Sequence, residues 1–340
     1  MIIATVYITS NCSECDKVIN YLDDLYSVVP HKVISINVDL DPVLKKSFDN
    51  NLPVVQIGPF RLRNNIEKKD LQVALSAAKD RETQLKGEDI ERYKNRLRKG
   101  RTFAGGDRLS AWLSKHYMVI FNAILAFYVG IALLAPVMMK GGATGPARLI
   151  YLVYRPLCHQ LAFRSFFLFG EQAYYPRELA DVQADSTYED IIGTDTILLR
   201  NAQNEIGNEV IGYKVALCER CMAIYGSMLV FGLIFSLVGR KWKSLPWFLW
   251  IIIGLGPIGL DGVSQLPSLV GRFTDWVIIR ESTPFLRVLT GSLFGITTAW
   301  YLFPFIEESM QESRVILAKK MAISIQLEDI IDRGEQENGV

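Results

Sequence analysis

The sequence predicts a two-part chain: a small α/β domain over residues 1–82, in the order βαβαββα, and an all-α polytopic membrane domain over residues 116–306. Three observations predict it. Short β-branched runs alternate with helix-period segments as far as residue 82. From residue 116 the chain carries apolar stretches of the ~20 residues needed to cross a hydrocarbon core. Between them, residues 83–115 form a charged, basic stretch that reads as a linker helix. Averages conceal this division, since half of the 340 residues are hydrophobic and 21% are charged. The net charge of +1 argues against a nucleic-acid binder, which would show a basic face.

In the first domain, Ile2–Ile8 is a strand-like run that lacks the basic start of a cleavable signal. Thr9, Ser10 and Asn11 make a turn, and Cys12-Ser13-Glu14-Cys15 then leads into Val18, Ile19, Tyr21, Leu22 and Leu25 at helical spacing. A second strand contains Val33, Ile34, Ile36 and Val38, and Pro42 opens a short helix. Leu52–Gly58 is a strand entered through Pro53, Gly58-Pro59 turns into Phe60–Leu62, and Lys68–Ala78 is the closing helix. A cysteine at a helix N-terminus has its thiolate favoured by free N–H groups and the helix dipole. Cys12 is the expected nucleophile and Cys15 the resolving thiol. The alternative is half of a zinc site, for which His31 is the one additional ligand nearby in sequence.

With a CxxC between the first strand and the first helix, residues 1–82 resemble the glutaredoxin branch of the thioredoxin fold. The resemblance implies that Pro53 is the cis-proline facing the CxxC. It also implies a partner that is a thiol reductant or a thioredoxin or glutathione system. Two features differ from the common family pattern: Ser13-Glu14 stands between the cysteines, and no glycine pair follows Gly58.

Further along, Arg92, Lys94, Arg96, Arg98, Lys99, Arg101 and Arg108 precede the first apolar span, Tyr117–Met138. This is the positive-inside signal, so the first domain is expected in the cytoplasm of a multi-pass cell-membrane protein. Leu149–Phe169 is apolar but contains Arg155, Cys158, His159, Gln160 and Arg164, and it reads as an interfacial or re-entrant helix. Residues 171–213 carry nine carboxylates against Arg177 and Arg200 and are expected outside as an acidic extracytoplasmic loop. The spans Val215–Val238, Pro246–Val270 and Phe285–Ile306 complete about four crossings, with the basic turn Gly239–Lys243 and the tail 307–340 inside. The bilayer is the expected partner.

On that topology the costly polar residues arrive at one membrane face. They are Cys158 and His159, then Cys218 and Cys221, which share a helix face with Tyr225, then Asp261 and Gln265, then Arg280, Glu281, Arg287 and Thr290. Cys158-His159-Gln160, Arg164-Ser-Phe-Phe, Cys218–Gly226, Asp261–Gln265 and Arg287–Gly291 resemble, in order, the DUF2085 family of predicted membrane proteins over roughly residues 150–300. That family name implies no reaction. The residues leave three readings open. A membrane-bound thiol–disulfide oxidoreductase or electron-transfer protein would use Cys12 and Cys15 together with the membrane-domain cluster. A metal protein would place zinc or iron on Cys158, His159, Cys218 and Cys221 or, since a Cys-His dipeptide ligates through both side chains only with strain, on the three cysteines plus Asp261 or a water. A structural module would hold only a disulfide. Arg155, Arg164 and Arg287 are expected to stabilise nearby thiolates, which suits either metal ligation or thiol exchange.

Overall fold

The structure is a computed structural model and describes residues 2–48, 51–84, 88–194, 196–266 and 280–338. It divides into two compact units, residues 1–115 with 309–340, and residues 116–308.

In the first unit, β1 (Ile2–Ile8), β2 (His31–Asn37), β3 (Val54–Ile57) and β4 (Phe60–Arg63) form one sheet in the order β2-β1-β3-β4. β1 runs parallel to β2, with Ile2 beside His31, and β3 is antiparallel to both β1 and β4. Side chains of a strand alternate between faces. Ala4 and Val6 therefore enter one core, with Leu22 and Leu25 of α1 (Ser13–Leu25) and Leu71 and Leu75 of α3 (Lys68–Gln84). Ile3 and Tyr7 enter the other, with Leu44 and Phe48 of α2 (Pro42–Phe48). Because β1 is covered on both faces, its sequence is apolar apart from Thr5 rather than alternating.

That second face is also covered by Ala318, Ala322, Leu327 and Ile330, from the stretch read in sequence as a tail beginning at 307. Lys320 Nζ donates to Asp107 Oδ2 at 2.6 Å, and Arg314 Nη1 donates to the Ser114 carbonyl at 2.6 Å. The closing helix α3 continues past Ala78 to Gln84. Where one linker helix was expected over 83–115, there are two helices, α4 (Glu88–Arg101) and the first turns of α5 (Gly105–Lys140); residues 85–87 and the side chains of Lys94 and Arg101 lie outside the description.

In the second unit, four helices are long and apolar enough to cross a membrane, within Arg98–Lys140, Glu219–Leu237, Trp247–Ser264 and Pro284–Ile330. They correspond to α5, α9 (Glu219–Leu237), α10 (Trp247–Ser264, with a π-helical stretch over Trp250–Leu255) and α11 (Pro284–Asn338). Ile124, Phe127, Val230, Leu233, Ile252 and Val263 are exposed, an apolar exterior suited to lipid. The last residues of the expected Pro246–Val270 span, 267–270, lie outside the described residues. α9 and α11 approach closely through a small-xxx-small pair, Gly291 and Gly295. A Cβ at Gly295 would lie 2.1 Å from Ser227 Oγ and 2.3 Å from the Ile224 carbonyl oxygen.

The expectation of an all-α membrane domain needs correction. Residues 144–218 contain a three-stranded antiparallel sheet in the order β5-β7-β6, built from β5 (Ser165–Leu168), β6 (Gly207–Asn208) and β7 (Gly212–Cys218). Leu149–Phe169 is not one helix. α6 (Thr144–Tyr154) ends in a turn, Gln160 takes φ +50°, and Ser165–Leu168 becomes β5. Likewise the apolar run from Val215 is a strand until Cys218, and its helix begins at Glu219. The physical reason is that hydrophobicity alone does not distinguish a buried strand from a helix start. α7 (Tyr188–Ile192) and α8 (Leu199–Asn204) are short helices within the acidic segment.

Candidate functional site

The junction of β7 and α9 places two thiols at a helix N-terminus. Cys218 is the last residue of β7 and the N-cap of α9, and Cys221 follows in the first turn. The third thiol comes from the turn after α6. There the Cys158 N–H donates to the Tyr154 carbonyl at 2.9 Å, and Gln160 reverses the chain. The Gln160 Nε2 donates to the carbonyls of Tyr151 at 3.0 Å and Ala216 at 2.9 Å, and the Tyr151 hydroxyl donates to the Lys214 carbonyl. These bonds fasten the turn to β7 where β5 pairs Ser165 with Cys218.

As a result the Cys218 N–H donates to Cys158 Sγ at 3.2 Å, and the sulfurs of Cys158, Cys218 and Cys221 all lie within 4.8 Å of one another. None of the three is in a disulfide. Hydrogen bonds from the Cys218 and Cys221 thiols and from backbone N–H groups hold the Cys158 thiol below its ordinary range, against its burial. Tyr128 and Tyr154 stack at 5.1 Å, and Tyr225 meets Tyr128 edge-on at 4.7 Å, in the apolar shell beside the thiols.

The other sequence-nominated residues do not join the sulfur group. His159 is exposed and lies outside the group of close sulfur ligands, although it lines the cavity beside them. Asp261 is buried in ion pairs of its own. Arg220 binds it, Arg280 Nη2 is 3.5 Å away, and the Ser282 hydroxyl donates to it at 3.0 Å. Arg164 and Arg287 pair with carboxylates rather than thiolates. Arg164 reaches Glu281 through Nε at 2.6 Å and Nη2 at 2.8 Å, while Arg287 bonds Glu281 and, at 3.1 Å, Glu219. Charges buried this deeply stay ionised only when paired, so this lattice holds the start of α9, the end of α10 and the start of α11 together.

Sequence reasoning gave Glu219 and Lys214 no role. Glu219 could have been noticed as a carboxylate opening an apolar helix. Lys214 had no visible signal, because its burial depends on β5 and β6 flanking β7. Its Nζ donates to the Gln160 and Gln203 carbonyls, each at 2.7 Å, and burial pushes its pKa down to about 7.

Cys218 and Cys221 also form part of the wall of a cavity of about 530 Å³, shared with His159, Arg164, Arg220 and Arg287. The sulfur cluster therefore opens onto a basic chamber.

In the first unit, Cys12 and Cys15 form a disulfide at the turn from β1 into α1, with Cys12 half-buried and Cys15 2% exposed. The Glu14 carboxylate is paired with Lys17 at 2.6 Å. Leu52-Pro53 is a cis peptide, and because Val54 pairs with Tyr7, Pro53 lies at the end of the sheet from which the chain leaves for Cys12. His31 sits at the opposite end of β1, beside Ile2, and this rules out a zinc site that combines it with Cys12 and Cys15. Six strand steps at about 3.3 Å each put roughly 20 Å between Ile2 and Ile8.

Together these features define a multi-pass membrane protein with a three-cysteine cluster and a mixed α/β domain. Residues 209–301 match the family described as Predicted membrane protein (DUF2085). The chain is also similar to an uncharacterized protein of Methanocaldococcus jannaschii, 27% identical over 202 residues, covering 58% of this chain and 96% of the relative. No solved structure matches.

Proposed function

We propose that the membrane domain holds a thiophilic metal ion, zinc or iron, on Cys158, Cys218 and Cys221. The observation that carries this reading is the convergence of three unpaired sulfurs, within 4.8 Å of one another, from segments 60 residues apart. Tetrahedral ligation at a Zn–S length of about 2.3 Å places sulfurs about 3.8 Å apart, so small rotations of the thiols suffice. The helix N-terminus and the Cys218 N–H favour the thiolate form that ligation requires. With three protein ligands, a fourth position is left for water or a small ligand from the chamber. That is the pattern of sites that act on molecules rather than merely stapling a fold.

A second reading concerns the first unit. Its parallel β1/β2 pair, antiparallel β3 and β4, disulfide at the β1–α1 turn and adjacent Pro53 support a glutaredoxin-like thiol–disulfide exchange domain. A half-buried Cys12 backed by a buried Cys15 suits attack on the first sulfur and release of the second, with a thiol reductant or a thioredoxin or glutathione system as donor. For the chain as a whole we adopt a topology with both termini cytoplasmic and the acidic 171–213 segment outside. The basic residues before α5 and at Arg240–Lys243 support it.

One preparation tests both readings. Full-length protein, purified in detergent under anaerobic reducing conditions, should retain about one zinc or iron per chain and lose it in Cys158→Ser. Protein that binds no metal and instead forms a reducible disulfide among Cys158, Cys218 and Cys221 would refute the metal assignment. In the same material, Cys12→Ser should remove a separate reversible dithiol–disulfide couple, and a couple left intact would sink the exchange reading.

A further inference from the structure

Charge and shape in the chamber point to a ligand of its own. Around it stand five guanidinium groups, Arg164, Arg200, Arg220, Arg280 and Arg287, against the carboxylates of Glu219, Asp261 and Glu281. Among the described residues that line the cavity there is none with a carboxylate, while four of the five arginines and His159 line it. Two of those arginines keep unused donors: the Nε atoms of Arg220 and Arg287 are buried with no hydrogen-bond partner, and the Arg287 residue is 2% exposed. A buried guanidinium N–H left without an acceptor costs free energy, and at Arg220 an incoming anion would lower that cost. In the lining, Arg200 is exposed and makes no ion pair among the described residues. The wall also carries an apolar part, Leu161, Leu199 and Leu266, beside the neutral amides of Gln203 and Gln265.

We propose that this chamber binds an amphipathic organic monoanion, its charged head between Arg200 and Arg220 and its apolar body against Leu161, Leu199 and Leu266. A hydrophilic anion such as free phosphate would leave those leucines facing a wet ligand. A neutral apolar molecule would leave the excess positive charge unanswered. About 530 Å³ accommodates a head group with a short chain. The inference stands on charge and shape, and does not depend on a metal at the thiols. The shared chemistry, an anion on a hydrocarbon body, occurs both in soluble short-chain acids and in membrane fatty acids.

The test uses the full chain in phosphatidylcholine nanodiscs, titrated calorimetrically with hexanoate, hexanol and inorganic phosphate. Hexanoate should bind saturably, and at least tenfold more weakly in Arg200→Gln, a variant of an exposed residue that leaves the fold alone. Hexanol binding as tightly as hexanoate, or an unchanged hexanoate affinity in R200Q, would overturn the role of charge. Phosphate binding as tightly as hexanoate would overturn the role of the apolar wall. Palmitate supplied in the nanodisc and displacing hexanoate would support the proposal with the bilayer as the source, and hexanoate binding undisturbed by it would support a soluble acid. Running the titration with and without bound zinc separates the two proposals. Hexanoate binding by protein that never takes up metal removes the metal reading and keeps this one, while metal uptake without hexanoate binding does the reverse.

Discussion

A lysine ammonium buried inside the second unit, bonded to two carbonyls, makes the fold sensitive to alkaline pH. The folded-state pKa of Lys214 is lowered to about 7 from the ordinary 10.5, chiefly by desolvation. Between these values the unfolded chain holds a proton that the folded chain has released, so stability rises with pH across that window. Below pH 7 both states are protonated and the cost of burying the charge is fully present. Lys214→Met should abolish the rise in melting temperature between about pH 7 and pH 10, measured against the parent protein. A variant whose profile still climbs like the parent's would show that Lys214 is not the buried charge described. At this scale the sequence was partly legible. Cys158, Cys218, Cys221, Asp261, Arg164 and Arg287 stood out because polar groups in apolar runs are costly. Which of them touch was not legible: the arginines found carboxylates, and His159, next to a thiol in sequence, is exposed and outside the sulfur group.

Among the elements, the α9–α11 contact rests on residues with no side chain. Gly295→Val should force the two helices apart, since a Cβ there meets the Ile224 backbone oxygen at 2.3 Å, and backbone cannot swing aside as a side chain can. Gly259→Ala, read beside Gly295→Ala as well as Gly295→Val, is the control, because nothing lies within 4 Å of a Cβ at that site. Thermal unfolding in one detergent should show a loss for G295V on the order of 1–3 kcal/mol, the usual cost of overpacking, and little change for G259A. Equal melting temperatures for the two would refute close helix contact. The helices themselves were evident from their length and hydropathy. The sheet was not, because Ser165–Leu168 and Gly212–Cys218 lie inside apolar runs whose partners are about 50 residues away. Local pattern carries no record of such long-range pairing.

For the whole molecule, an even number of crossings returns the chain to the side on which it began. The proposed topology then leaves Cys158, Cys218, Asp261 and Arg287 at the face opposite both termini. A cysteine placed at Ser186 should react with a membrane-impermeant maleimide in intact cells, and labelling only after lysis would invert the assignment. The order βαβαββα of the first domain could be read from sequence because each strand and helix announces itself locally. The cover that residues 318–330 give its sheet could not, since a polar-rich helix far along the chain carries no sign of its partner.

The ion-pair lattice also bears on how the chain is made. Glu219 leaves the ribosome long before Arg287, its counter-ion, so α9 must enter the bilayer carrying a carboxylate whose partner has not been synthesised. Until α11 arrives, that end of the nascent protein is unfinished in a way that a quality-control protease can sense. A chain stopped at residue 283 should therefore be cleared from cells much faster than the full-length protein, as a pulse-chase comparison would measure. Equal lifetimes would mean that α9 is accommodated without Arg287. With the truncated chain cleared faster, the lattice marks the moment of completion, the last helix sealing what the earlier ones could only leave open.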